Sequence, residues 1–209
     1  MKKALIIDLK LNNIGSITES ISRLGISCKT KLSKKNIHEA EILILPGVGS
    51  YPSAMKKIKK NNIDKIIYNF VRSKKKIIGI CLGMQLLFEK SNEFLPTRGL
   101  SLIKGEVVSL TNSIKSKDNS LIPNIGWHSI KTTKNKSKLF KKLDKKKFYF
   151  VHSFHVKPKN KSIITSYIKL NGVKIVSSVQ SKNIIGLQFH PEKSGKDGEK
   201  LLSNFLKQI

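Results

Sequence analysis

The chain alternates short apolar runs with segments of helical periodicity. Ala4-Leu5-Ile6-Ile7-Asp8 reads as a buried strand, and Ile14, Ile17, Ile21 and Leu24 then recur at helical spacing until Gly25. Ile26 to Thr30 reads as a second strand. Ile42-Leu43-Ile44-Leu45 is a wholly apolar strand that runs into the loop Pro46-Gly47-Val48-Gly49. Ala54, Met55 and Ile58, then Ile63, Ile66, Ile67 and Phe70, predict helical segments ahead of the strand Lys76–Ile80, and Met84–Glu89 predicts a further helix. Strands that are apolar throughout, separated by helices, imply a mostly parallel central sheet flanked by helices, an α/β fold. Beyond Gly99 the runs shorten between polar turns, which predicts a mixed or antiparallel C-terminal part. Asn112 to Ser120 reads as an exposed loop. A last strand, Ile184 to Phe189, precedes a helix carrying Leu201, Leu202, Phe205 and Leu206. No repeat or long linker divides the chain, so a single domain over residues 1–209 is expected.

The candidate chemistry sits where these runs end. In Gly79-Ile80-Cys81-Leu82-Gly83-Met84-Gln85 a cysteine lies between strand and helix, with glycines two positions to either side. Glycine lets the backbone turn sharply with no Cβ in the way, and a thiol just ahead of a helix is in the setting of a nucleophile elbow. A lone apolar cysteine reads more simply as core. The second signal is Gln188-Phe189-His190-Pro191-Glu192, a strand end that offers a histidine as general base to a thiol and a carboxylate to orient the ring. Ligands in open parallel sheets bind beyond the carboxyl ends of the strands, and Pro46–Gly49, Cys81 and His190–Glu192 all fall at such ends.

Pro46-Gly47-Val48-Gly49, Gly79-Ile80-Cys81-Leu82-Gly83-Met84-Gln85 and Gln188-Phe189-His190-Pro191-Glu192-Lys193-Ser194-Gly195 together resemble the signatures of the class I (triad) glutamine amidotransferases. The resemblance spans essentially the whole chain. Within that family the wording of the motifs is similar to the glutaminase subunits of imidazole glycerol phosphate synthases, as are Gly126-Trp127, Phe150-Val151-His152-Ser153 and Asn204-Phe205-Leu206. It implies the class I glutamine amidotransferase fold, glutamine as substrate and a thioester mechanism. Cys81 would be the nucleophile, His190 the base and Glu192 its orienting partner, with Val48 and Leu82 supplying the oxyanion-hole N–H groups. Gly47, Gly49, Gln85, His152 and Ser153 would bind substrate. It further implies a heterodimer with a (β/α)8-barrel cyclase subunit, to which the ammonia passes in histidine biosynthesis.

Two segments depart from that pattern. Where relatives carry Tyr-Gly-x-Gly-Asn-Leu, this chain reads Leu9-Lys10-Leu11-Asn12-Asn13-Ile14, and Pro-His-x-Gly-Trp-Asn becomes Pro123-Asn124-Ile125-Gly126-Trp127-His128. Both lie in stretches that the resemblance associates with the partner. They leave open a paralogue supplying ammonia, with a cyclase-like barrel, to a sugar amidotransferase of surface-polysaccharide synthesis. Trp127 reads equally as core filler or as a partner-facing aromatic.

Composition changes little of this. The formal charge of +28 invites a nucleic-acid reading, but all except three of the 41 basic residues are lysines and aromatics make up only 7%. Base-edge recognition uses arginine forks and single strands use aromatic platforms, so no specific nucleic-acid partner is expected. A lysine-rich, non-catalytic binding protein would leave the Cys-His-Glu set without purpose. Two cysteines make no disulfide framework, and Cys28 reads as a half-buried strand residue. His38, read as lying on a surface helix, His128 and His155 show no metal-ligand spacing, so neither a metal nor a cofactor is expected. With no signal segment or membrane span, a cytoplasmic setting follows.

Overall fold

The computed structural model of the chain describes residues 2–11, 14–47, 49–114, 122–133 and 138–207. Its amino-terminal half runs β1 (Lys3–Ile6), α1 (Gly15–Ser22), β2 (Ser27–Lys29), α2 (Lys34–Glu39), β3 (Ile42–Leu45), α3 (Tyr51–Lys60), α4 (Ile63–Arg72), β4 (Lys76–Ile80) and α5 (Leu82–Leu86). β1 pairs in parallel with β2 and β3, and β3 with β4. Successive strand side chains point to opposite faces, so an all-apolar strand feeds two cores at once. Ala4, Ile6, Ile42 and Ile44 meet Ile17 and Ile21 of α1 on one face. Leu5, Leu43 and Leu45 meet Met55, Ile58, Ile67 and Phe70 of α3 and α4 on the other.

The remainder comprises β5 (Phe88–Ser91), β6 (Thr97–Arg98), β7 (Ile103–Ser109), α6 (Leu110–Ser113), β8 (Asn124–Ser129), β9 (Lys131–Thr132), β10 (Lys147–His152), β11 (Phe154–Pro158), β12 (Ile164–Leu170), β13 (Val173–Ser181), β14 (Ile184–Leu187) and α7 (Gly195–Leu206). The main sheet has the order β2-β1-β3-β4-β14-β13-β12-β9, beside a four-stranded sheet β11-β7-β5-β6 and a two-stranded sheet β10-β8. β14 is parallel to β4, whereas β13, β12 and β9 continue the sheet antiparallel. That is the mixed C-terminal part expected from the shortened runs.

One pairing positions the chemistry. β14 lies directly against β4 with Ile80 opposite Leu187, and the Cys81 N–H donates to the Leu187 carbonyl at 2.7 Å. The residues that follow the two strands, far apart in sequence, therefore emerge side by side.

The helix expected over Met84–Glu89 is corrected: it starts and stops earlier, at Leu82–Leu86, and Phe88 and Glu89 belong to β5. Phe88 pairs with Ile103 of β7, and the Glu89 carboxylate accepts the Gly105 N–H at 2.7 Å. Tertiary pairing thus overrides a local apolar periodicity that either element would have satisfied. Leu110–Ser113 form one helical turn at the start of the stretch read as a loop, and residues 115–120 of that stretch lie outside the described residues. No helix among the described residues is long and apolar enough to cross a membrane.

Candidate active site

Cys81 occupies the tight connection between β4 and α5 with φ 52° and ψ −112°, a conformation that costs a non-glycine residue about 1–3 kcal/mol. Three glycines permit it. A Cβ on Gly79 would lie 2.6 Å from the Gly83 carbonyl oxygen, one on Gly83 would collide with the Leu45 carbonyl, and one on Gly47 would collide with the Gly83 nitrogen. α5 is therefore seated against the ends of β3 and β4 at backbone contact, which fixes the sulfur at the sheet's carboxyl edge. The strain is held by the surrounding packing.

His190 follows β14, and its N–H donates to the Tyr149 carbonyl at 2.9 Å. Pro191–Lys193 form one 3-10 turn, which carries Glu192 back to the edge of the ring. Glu192 Oε1 lies 2.7 Å from His190 Nδ1, and both side chains are almost fully buried. The Ser194 hydroxyl locks this turn, donating to the His190 carbonyl at 2.6 Å and accepting the Tyr149 N–H at 3.0 Å. Glu192 thus fixes the tautomer with Nδ1–H, leaving Nε2 for the thiol. Nε2 makes no aligned hydrogen bond among the described residues, and the neighbour acting on it is the Cys81 sulfur. Burial opposes charge on the ring, but Cys81 and then Glu192 outweigh it and push the His190 pKa up to about 10. The imidazolium is favoured, as a base paired with a nucleophilic sulfur requires.

A cavity of about 250 Å³ opens onto Cys81, lined by Gly49, Leu82, Gln85, Glu93, Pro123, Val151, His152, Ser153 and Phe154. It brings together Cys81, Leu82, Gly49, Gln85, His152 and Ser153 from the residues read out of the sequence. Gly47 is not on its wall but behind it, against α5. Val48 lies outside the described residues. The Gln85 amide spends both N–H groups on Phe154 O (3.0 Å) and Gln188 Oε1 (3.1 Å), so it can meet a ligand only through its oxygen.

Two lining or adjacent residues were not singled out from sequence. Glu93 reaches the cavity from the segment after β5, its carboxylate accepting the Tyr51 N–H at 2.7 Å. Burial raises its pKa, partly offset by that hydrogen bond. Gln188, fully buried at the end of β14, directs Nε2 to the Cys81 sulfur at 3.7 Å. Glu93 follows no recognisable spacing; Gln188 stood one residue before the Phe-His-Pro-Glu run and gave no signal of its own.

Among the described residues no group of three or more His, Cys, Asp or Glu side chains is placed to hold a metal ion. His38 is exposed on α2, and Cys28 is half-buried on β2. Trp127 is 52% exposed on β8 beside Ile125 at 59%, so it is not core filler.

Two buried histidines, one of them in this site, give the fold a pH signature. Burial drives the pKa of His152 down to about 3 and that of His155 to about 4, the latter helped by Lys157. An unfolded histidine titrates near 6.5. Between about pH 6.5 and 4 the unfolded chain therefore binds two protons that the folded chain refuses, and stability falls with pH by up to about 1.4 kcal/mol per unit for each histidine. His190 acts at the other end: its raised pKa contributes stability fully present below about 6.5 and lost as pH rises through about 10. Urea midpoints measured between about pH 7 and 4.5 are expected to fall, and His155→Asn to make that slope shallower. An unchanged slope in that variant would contradict the assignment.

The model of the class-I glutamine amidotransferase family matches residues 5–209, and the chain belongs to that family. Within it, the imidazole glycerol phosphate synthase subunit HisH of Lactococcus lactis subsp. lactis (strain IL1403) is 40% identical over 209 residues, all of both chains. The protein of that name from Aquifex aeolicus (strain VF5) is 38% identical, over 97% of this chain and 95% of its own. Among solved structures, a glutamine amidotransferase superposes with a TM-score of 0.73 at 16% identity, covering 98% of this chain and 97% of the other. PurLQS from Thermotoga maritima gives 0.72 at 20% identity, covering 99% and 98%. At those identities the structures establish the fold alone.

Proposed function

We propose that this chain is the glutaminase subunit of an imidazole glycerol phosphate synthase. It hydrolyses glutamine to glutamate and ammonia, and a cyclase subunit uses the ammonia to make imidazole glycerol phosphate and an aminoimidazole carboxamide ribotide in histidine biosynthesis. The observation that carries this is the Cys81-His190-Glu192 constellation, in a chain 40% identical over its full length to a relative of that name.

Catalysis uses the geometry directly. The Cys81 sulfur attacks the carboxamide carbon of glutamine, forming a C–S bond and a tetrahedral oxyanion. The N–H of Leu82 stabilises that oxyanion, together with the N–H of Val48. Nitrogen departs as ammonia with the proton carried by His190 Nε2, leaving a thioester. His190 then removes a proton from water, whose oxygen attacks the thioester carbon. Glutamate leaves, the C–S bond breaks and the proton returns to the Cys81–His190 pair. Glu192 holds the ring throughout. The Glu93 carboxylate suits the α-ammonium of glutamine, Gln85 accepts through Oε1, and Ser153 and Gly49 close the cavity around the amino acid.

The partner is a (β/α)8-barrel cyclase subunit. The exposed apolar pairs Ile125/Trp127 and Phe94/Leu95 stand within a few residues of Pro123 and Glu93, which line the cavity, and so suit a covering subunit. The enzyme works in the cytoplasm, where a reducing environment keeps Cys81 as a free thiol. Glutamate release by the purified chain, alone and with the same organism's cyclase plus its ribonucleotide ligand, tests this. Cys81-dependent stimulation of at least tenfold is expected. Hydrolysis that the cyclase leaves unchanged would assign the chain to another ammonia acceptor.

A further inference from the structure

A line of hydrogen bonds outside the triad ends on the nucleophile. Gln188 Nε2 points to the Cys81 sulfur at 3.7 Å, and Gln188 Oε1 accepts from Gln85 Nε2 at 3.1 Å. The other Gln85 N–H goes to the Phe154 carbonyl at 3.0 Å. That same carbonyl lies 2.8 Å from His152 Nδ1, and His152 Nε2 lies 2.9 Å from Asn124 Nδ2. Asn124, His152, Gln85 and Gln188 are all buried, and the line runs from the first residue of β8 to the sulfur.

Donor and acceptor counting leaves this line one arrangement. A carbonyl only accepts, so His152 Nδ1 must carry a proton. Burial keeps the ring neutral, so Nε2 presents a lone pair and Asn124 must be the donor. Phe154 O is filled by two donors, which orients the Gln85 amide, and Gln85 in turn orients the Gln188 amide with its N–H toward sulfur. Losing the outermost donor frees His152 to turn and leaves the Phe154 carbonyl, fixed in β11, with one acceptor position open, so the Gln85 amide is no longer held to one arrangement. An N–H aimed at a sulfur stabilises its anionic form, so each link bears on the reactivity of Cys81.

We propose that Asn124 is a positioning residue for Cys81, acting through His152, the Phe154 carbonyl, Gln85 and Gln188 to hold an N–H donor against the sulfur. The role rests on Cys81 being the nucleophile. It also places the outer end of the relay next to Ile125 and Trp127, which stand exposed on the same strand.

The test is the pH profile of Cys81 alkylation by iodoacetamide, followed by peptide mass in the full chain carrying Cys28→Ser. Removing the last donor directly with Gln188→Met is expected to move the midpoint up by about one unit, a tenfold loss of reactive sulfur at a fixed lower pH. Asn124→Ala is expected to move it in the same direction by about half as much. Asn124→Leu keeps the side chain's size but offers His152 Nε2 neither donor nor acceptor, so it serves if the alanine variant fails to fold. It is expected to move the midpoint as Asn124→Ala does. Profiles of folded Asn124→Ala or Asn124→Leu that superimpose on the parent would overturn the proposal. Because alkylation needs no glutamine, a chain that fails to hydrolyse glutamine would count against the functional reading and leave this test intact.

Discussion

Cys81→Ala is expected to lower glutamine hydrolysis by at least about 10⁴-fold while the chain still folds. Removal of one member of a nucleophile–base–orienter set costs roughly that much, because the covalent route closes and only binding and oxyanion stabilisation remain. The backbone at Cys81 keeps its strained φ of 52° with alanine, and the sulfur adds little to a core already filled by Ile78, Ile80 and Leu187. The lost packing should thus cost no more than about 1 kcal/mol, with the lowered His190 pKa a separate, pH-dependent loss, and a folded chain that fails to hydrolyse glutamine separates a chemical defect from a folding one. The variant also removes the neighbour that, with Glu192, holds the His190 pKa near 10, so that pKa should fall. Glutamate release, the urea midpoint and the His190 NMR titration read the three effects independently. Retained hydrolysis would remove Cys81 from the mechanism.

The second large effect is structural. Gly83→Ala would drive a Cβ into the Leu45 carbonyl, a backbone group that cannot rotate away. Either α5 lifts off β3 or the variant unfolds, and a loss of at least about 3 kcal/mol is expected. Where the chain still folds, the lift displaces Cys81 and Leu82 together. A displacement of about 1 Å at a reacting group costs on the order of 100-fold in rate. Denaturant unfolding and glutaminase activity of the same preparation measure both. Gly172→Ala is the control: unlike Gly83 it has a positive φ, 77°, but nothing lies within 4 Å of the new Cβ, so backbone strain alone should cost about 1 kcal/mol and leave activity alone. Equal stability losses in the two variants would show that close approach is not what Gly83 provides.

Local sequence marked the strands and the residues at their ends, because a strand buried on both faces must be apolar throughout and a thiol on a tight turn needs small neighbours. Cys81, His190 and Glu192 were legible in this way. What brings them together was not: β14 beside β4 joins segments about a hundred residues apart, and no local pattern encodes that pairing. The same limit explains Phe88 and Glu89, whose strand exists only because β7 offers a partner. It also explains Glu93 and Gln188, whose importance arises from where the folded chain puts them. Gly47 illustrates the converse: the loop was legible, but whether a glycine faces ligand or α5 depends on a contact made by Gly83, on another element.

The most direct test of the account is covalent. The full chain is incubated with a diazo-ketone analogue of glutamine, with and without excess glutamine, and the adduct is located by peptide mass. One adduct on Cys81, suppressed by glutamine and absent from Cys81→Ala, is the predicted result. No adduct, or one on Cys28 that glutamine fails to suppress, would contradict the assignment of this site as a glutaminase.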